Sequence, residues 1–152
     1  MTALAGGVAL LGLAACGGGA GETELPVATR SVERHPVSGI DTPQGVVVDT
    51  PEQWARLWSQ HTANRPETPR PEVNFTTHQV LAVFLGSRPS GCSEVTVSAV
   101  VDRGAQRVVR HVERLPGPTE VCVAMVTSPA HLVEVPRSAK AVVFEGSQRA
   151  GG

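Results

Sequence analysis

Three cysteines, five histidines and three aspartates offer most of the chemistry in this chain, and their spacing limits what that chemistry is. A zinc site needs ligands at short, fixed intervals. Cys16, Cys92 and Cys122 form no C-x-x-C, and the histidines at 35, 61, 78, 111 and 131 are scattered, so no metal ligand set is expected. A hydrolase elbow presents its serine in G-x-S-x-G, whereas Ser90 sits in Pro89-Ser90-Gly91. Asp41, Asp49 and Asp102 each fall in or beside an expected turn, and no spacing links them to His111, His131 or a serine. No Gly-rich loop leads from a strand into a helix bearing a lysine, and the single lysine, Lys140, lies near the C-terminal end, which leaves no phosphate cradle. The residues therefore suggest neither a catalytic set nor a cofactor.

The chemistry that remains is that of cysteine itself. Residues 1–15 carry no charged side chain and are almost wholly Ala, Gly, Leu and Val. That run is too short to span a bilayer, which takes about 20 apolar residues, and its small-residue end suits a secretory signal peptide. Leu13-Ala14-Ala15-Cys16 resembles the bacterial lipobox, in which the signal is cut before a cysteine whose thiol then carries a diacylglycerol. It departs from the usual pattern in having no Lys or Arg before the apolar run. Residues 16–29, opening Gly17-Gly18-Gly19-Ala20-Gly21, have the composition of a flexible tether. These features place the protein in the cell envelope, outside the cytoplasm, held to a membrane through the lipid on Cys16. In an exported protein disulfides persist, and lipidation of Cys16 leaves Cys92 and Cys122 as one pair. Closing that loop is worth about 3–4 kcal/mol by the chain-entropy relation.

Behind these residues stands a chain of globular composition. With 41% hydrophobic and 18% charged residues it can bury a core, and its length suits one domain, taken as residues 30–147 with a flexible tail at 148–152. Thirteen basic against 14 acidic residues and only five aromatics supply neither the positive surface nor the stacking platforms that nucleic acid requires. Thr50-Pro51-Glu52-Gln53 reads as a capped helix start, and Trp54, Leu57 and Trp58 follow at i, i+3, i+4, one face for the core. The three prolines between Ala63 and Pro71 make an irregular connection.

Elsewhere the pattern is β. Arg30 to Ile40, interrupted by Pro36, reads as an edge strand, and Val46 to Val48 as a short one. Gln79 to Leu85 is apolar throughout after its first residue, as in a strand buried on both faces. Glu94 to Val101 alternates, with Val95, Val97, Ala99 and Val101 on one face, and pairs with Arg107 to Glu113 through a Gly-containing turn. Val121 to Thr127 reads as a second buried strand, and Leu132 to Val135 and Ala141 to Phe144 complete the set. The expected class is mainly β (α+β), an antiparallel β sandwich or curled sheet of six to eight strands with one amphipathic helix.

Alternating strand directions put the loops at 86–91 and 115–120 at one end, with Cys92 and Cys122 beside them. Strands two places apart in a flat sheet are nearly 10 Å apart, and a disulfide needs Cα atoms within about 7 Å. Pairing of the cysteines therefore requires the sheet to curl, fold into two layers, or leave simple meander order.

Several runs, in order, carry a family resemblance over residues 73–145: Val73-Asn74-Phe75, Val80-Leu81-Ala82-Val83-Phe84-Leu85-Gly86, Arg88-Pro89-Ser90-Gly91, Pro116-Gly117-Pro118, Ser128-Pro129, His131-Leu132-Val133-Glu134-Val135-Pro136 and Val142-Val143-Phe144. Together they resemble the C-terminal domain of the protease complex subunit PrcB family. Asn74, Cys92 and Ala130 stand where that family usually has an Asp and two aromatics. The resemblance implies a non-catalytic exported module that associates with and supports a secreted serine protease.

The expected binding residues are Ser87, Arg88, Pro89, Ser90 and Gly91 in one loop and Pro116, Gly117 and Pro118 in the other, with Arg88 as an exposed planar donor. The expected partner is an exported protease or another envelope protein. A second reading makes loops 86–91 and 115–119 a protease inhibitor wedge, and a hydrolase is the remaining one.

Overall fold

The computed structural model describes residues 21–151. The signal segment and Cys16 lie outside the described residues. Eight strands and one helix follow in the order β1 (Glu24–Pro26), β2 (Arg30–His35), β3 (Gln44–Val48), α1 (Pro51–His61), β4 (His78–Phe84), β5 (Glu94–Arg103), β6 (Gln106–Leu115), β7 (Ala130–Pro136) and β8 (Ala141–Ala150). They form two four-stranded sheets, β1-β5-β6-β8 and β2-β7-β4-β3. All neighbours are antiparallel except β6 and β8. The fold is thus mainly β and sandwich-like, with the two-layer arrangement among those that pairing of the cysteines required.

The sheet β2-β7-β4-β3 is the middle layer, which explains why β4 is apolar throughout. Val80, Ala82 and Phe84 pack toward Trp54, Leu57 and Trp58 of α1. Leu81, Val83 and Leu85 pack toward Val95, Val100 and Val109 of the other sheet. A period-two strand with both faces covered has no polar face.

Helix α1 begins as its sequence predicts. The Thr50 hydroxyl accepts the Gln53 N–H at 3.2 Å, and Gln53 Oε1 accepts the Asp49 N–H at 2.8 Å. Two otherwise unpaired donors are thereby satisfied. Trp54 Nε1 donates to Pro71 O at 2.9 Å and Trp58 Nε1 to Thr68 O at 3.0 Å, so the buried indoles also pin the proline-rich connection.

Four expectations are corrected. Residues 121–127 are not a buried strand, because their bonds run to the 87–92 loop, through Cys92, the Gly91 N–H and Arg88, and not to a strand of either sheet, which leaves Val121, Val123, Met125 and Val126 exposed. Residues 24–26, within the expected tether, form strand β1, paired antiparallel with β5 and joined to it by the Val27 N–H bonded to Val100 O at 2.9 Å, while Glu24 reaches past β5 to pair with Arg110 on β6. Positions 148–150, within the expected tail, continue β8 in register with β6 as far as Leu115 and Ala150. The alternation of β5 breaks at a register shift between Val97 and Ala99, after which Val100 and Val101 are both buried.

Candidate functional site

Strand β4 ends in a turn at Gly86, whose φ of +73° favours glycine. The chain then runs through residues 87–92 over the end of the sandwich. Arg88 and Thr127 exchange backbone hydrogen bonds at 2.7 and 2.8 Å, and the Thr127 hydroxyl donates to Ser90 O at 2.8 Å. The Gly91 N–H donates to Val123 O at 3.0 Å, and a Cβ on Gly91 would stand 3.1 Å from that oxygen. Cys92 and Cys122 form a disulfide with Cα atoms 5.5 Å apart.

The third segment joins at the same end. Arg114 Nη1 donates to Cys92 O at 3.2 Å, and Nη2 to both Glu120 carboxylate oxygens at 2.8 and 2.9 Å. The Gly117 N–H donates to Glu120 Oε2 at 3.0 Å. Arg114, with this N–H, holds the Glu120 carboxyl below its ordinary range. The loops around 86–91 and 115–120 therefore do share one end. Ser87, Pro89 and Pro118 are exposed there, Ser90, Gly91 and Pro116 are half-buried, and Gly117 is buried.

Arg88 departs from its expected role as an exposed donor. Its Nε donates to Glu113 Oε1 at 2.5 Å and Nη2 to Oε2 at 3.2 Å, while Nη1 donates to Leu85 O at 2.8 Å. The Glu113 carboxylate is buried under it, and Arg88 holds that carboxyl below its ordinary range despite the opposing push of burial. A guanidinium surrounded by acceptors from its own chain braces the loop.

The apolar face of this end lies where a buried strand was expected. Val121 is 96% exposed, Val123 70%, Met125 45% and Val126 69%. From sequence an apolar run of that length reads as core. The available signal was Cys122 at its second position, since a bond to Cys92 ties the segment to a loop.

Glu120 also brings a carboxylate within 4.8 Å of the two cysteine sulfurs. A disulfide sulfur, however, has no thiolate to give a metal.

A second constellation, also missed in sequence, joins Ser38, His61 and Glu33 beneath α1. His61 Nδ1 lies 2.8 Å from Ser38 Oγ and its Nε2 2.5 Å from Glu33 Oε2, while Arg65 bonds both oxygens of Glu33 at 3.0 and 3.1 Å. The atoms are ordered as in a serine triad, but His61 is fully buried and Ser38 nearly so, so no substrate reaches them. Burial pushes the His61 pKa down, the Glu33 bond opposing. A neutral ring donating to Glu33 and accepting the Ser38 hydroxyl satisfies all three groups.

No family model, curated protein or solved structure matches this chain. The runs that resemble the PrcB family fall mainly on β4, β7, β8 and the loops of the disulfide-braced end.

Proposed function

We propose that this protein is a non-catalytic, lipid-anchored binding domain of the cell envelope, serving as an accessory subunit of an exported serine protease. The observation that supports a binding role is the braced end of the sandwich. Three loop segments are fixed there by one disulfide and two Arg–Glu pairs, and they present prolines, serine and four apolar side chains outward. Loops held in one conformation lose little entropy on docking, which favours recognition of a folded partner. The enclosure of Ser38 and His61 favours binding over hydrolysis. Anchoring rests on the lipobox-like Cys16, export on that motif together with the disulfide, and the protease partner on the family resemblance.

Affinity capture of the lipidated protein from its own envelope, with a Cys16→Ser control, tests this directly. The expected result is reproducible recovery of an exported serine protease, reduced when the anchor is lost. Recovery of none by a folded, anchored bait removes the accessory-subunit reading.

A further inference from the structure

Cys92, Cys122 and Glu120 meet at the braced end, with both sulfurs and a carboxylate oxygen all within 4.8 Å of one another. No short motif announces the group, because the fold assembles it. Cys92 comes from the loop before β5, and Glu120 and Cys122 from the segment after β6. All three residues are half-buried, so a reductant and an ion can reach them.

Contacts other than the disulfide also hold the group together. The Gly91 N–H donates to Val123 O at 3.0 Å, the Thr127 hydroxyl to Ser90 O at 2.8 Å, and Arg114 Nη1 to Cys92 O at 3.2 Å. Glu120 is aimed by Arg114 Nη2 and by the Gly117 N–H, outer contacts of the kind that orient a ligating carboxylate. They hold its carboxyl below the ordinary range, so it is ionised at neutral pH as a ligand must be. One oxygen can keep those donors while the other meets a cation.

The donor set decides which cation. Two thiolates reject calcium and magnesium, which take oxygen ligands, and suit zinc. Zinc binds sulfur at about 2.3 Å in a tetrahedron, which sets two sulfurs about 3.8 Å apart. Cα atoms 5.5 Å apart allow that spacing once the sulfurs are no longer bonded to each other, by rotation of the side chains alone.

We propose that Cys92, Cys122 and Glu120 form a redox-gated zinc site, closed to metal as the disulfide and binding one Zn²⁺, with water in the fourth position, after reduction by a dithiol. The dithiol gives two electrons and two protons. Its own sulfurs become a disulfide, and Cys92 and Cys122 become thiols. Zinc then displaces the two thiol protons to solvent. The ion bridges the same two positions as the covalent bond, so the end of the sandwich is braced in both states. This inference goes beyond the accessory-subunit reading and does not depend on it.

The test uses the full chain carrying Cys16→Ser, in which Cys92 and Cys122 are the only thiols. It is reduced with a dithiol, which is then removed without air, and titrated with zinc alone. The expected result is saturation at one zinc per chain, release of about two protons per zinc, and a raised melting temperature. Cobalt(II) in the same site should show sulfur-to-metal charge-transfer absorption. The oxidised chain should show none of these. Cys92→Ser should abolish the cobalt signal. Glu120→Gln should weaken zinc binding at least about tenfold, the low end for loss of even an outer contact to a metal site. Its amide oxygen still accepts from Arg114 and the Gly117 N–H, so the oxidised variant should melt with the native chain. Lack of saturable binding by the reduced chain, equal binding by the oxidised chain, or unchanged affinity in Glu120→Gln overturns the inference. A reduced chain that unfolds and is not refolded by zinc overturns it as well.

Discussion

His131 on β7 accepts the Val97 backbone N–H at its Nδ1, 2.8 Å away, and so ties the two sheets together where β5 bulges. The bulge takes Val97 out of regular register, and the ring from the opposite sheet supplies the acceptor. An N–H can only donate, so Nδ1 is unprotonated and Nε2–H is free to donate to Ser31 Oγ at 3.0 Å. A proton on Nδ1 would set two donors against each other.

That relationship predicts acid sensitivity. Burial, with Arg34 nearby, lowers the His131 pKa from 6.5 to about 4. Between these values the unfolded chain binds the proton and the folded chain does not. Stability from this group is therefore complete above about pH 6.5 and falls as pH drops toward 4, by about 3 kcal/mol in all. His61 and His111, also lowered by burial, add to the loss in the same direction. Urea unfolding at steps from pH 7.5 to 4 should show the decline. His131→Asn, which keeps an acceptor but no titrating ring, should flatten it. Parallel curves for the two proteins would remove His131 as the cause.

The Cys92–Cys122 bond closes a loop with a sequence separation of 30. Its removal in a Cys92→Ala/Cys122→Ala variant should lower stability by about 3–4 kcal/mol. Intact mass with and without reductant should show the folded, exported protein gaining two hydrogens on reduction. Two alkylatable thiols in the unreduced protein would show that the bond does not form.

How much of this was legible depended on whether local pattern and tertiary placement agreed. For α1 they did, since the cap, the proline and the tryptophan spacing act within one turn. The unbroken apolar run of β4 reported burial on both faces, although only the structure shows that α1 covers one of them. Residues 121–127 carry the same kind of run to the opposite outcome, because strand pattern records side-chain type and not which part of the chain a segment is bonded to, here the 87–92 loop. Strands β1 and β8 were missed in whole or in part because edge pairing needs no apolar face. The Arg88–Glu113 pair joins residues 25 positions apart and leaves no local trace.

Replacing Arg88 separates bracing from binding. Arg88→Met leaves Glu113 buried with only Gln148 as a side-chain donor, at 3.0 Å, and removes the bond to Leu85 O. Side-chain exposures of 27% and 7% make this a partly shielded pair, so the expected loss is about 1–3 kcal/mol. Glu113→Gln should lose less, since it leaves no unpaired carboxylate. Unchanged stability in Arg88→Met would return Arg88 to the list of free surface donors.

The enclosed Ser38–His61–Glu33 group invites a test of hydrolysis, because its order of atoms suggests an enzyme and its burial opposes one. A serine-directed fluorophosphonate should leave the folded chain unlabelled, as Ser38 is only 2% exposed and its oxygen already accepts the Ile40 N–H at 3.0 Å. His61→Leu should lower stability by about 2–4 kcal/mol, because the Ser38 hydroxyl loses its acceptor and Glu33 loses one donor in a buried place. Ser38→Ala should cost less, about 1 kcal/mol, since it removes the hydroxyl and leaves the stronger Glu33 pairs intact. Stoichiometric labelling of Ser38 in the folded protein would instead mean that the hydroxyl becomes accessible in solution, and the hydrolase reading would replace the structural one.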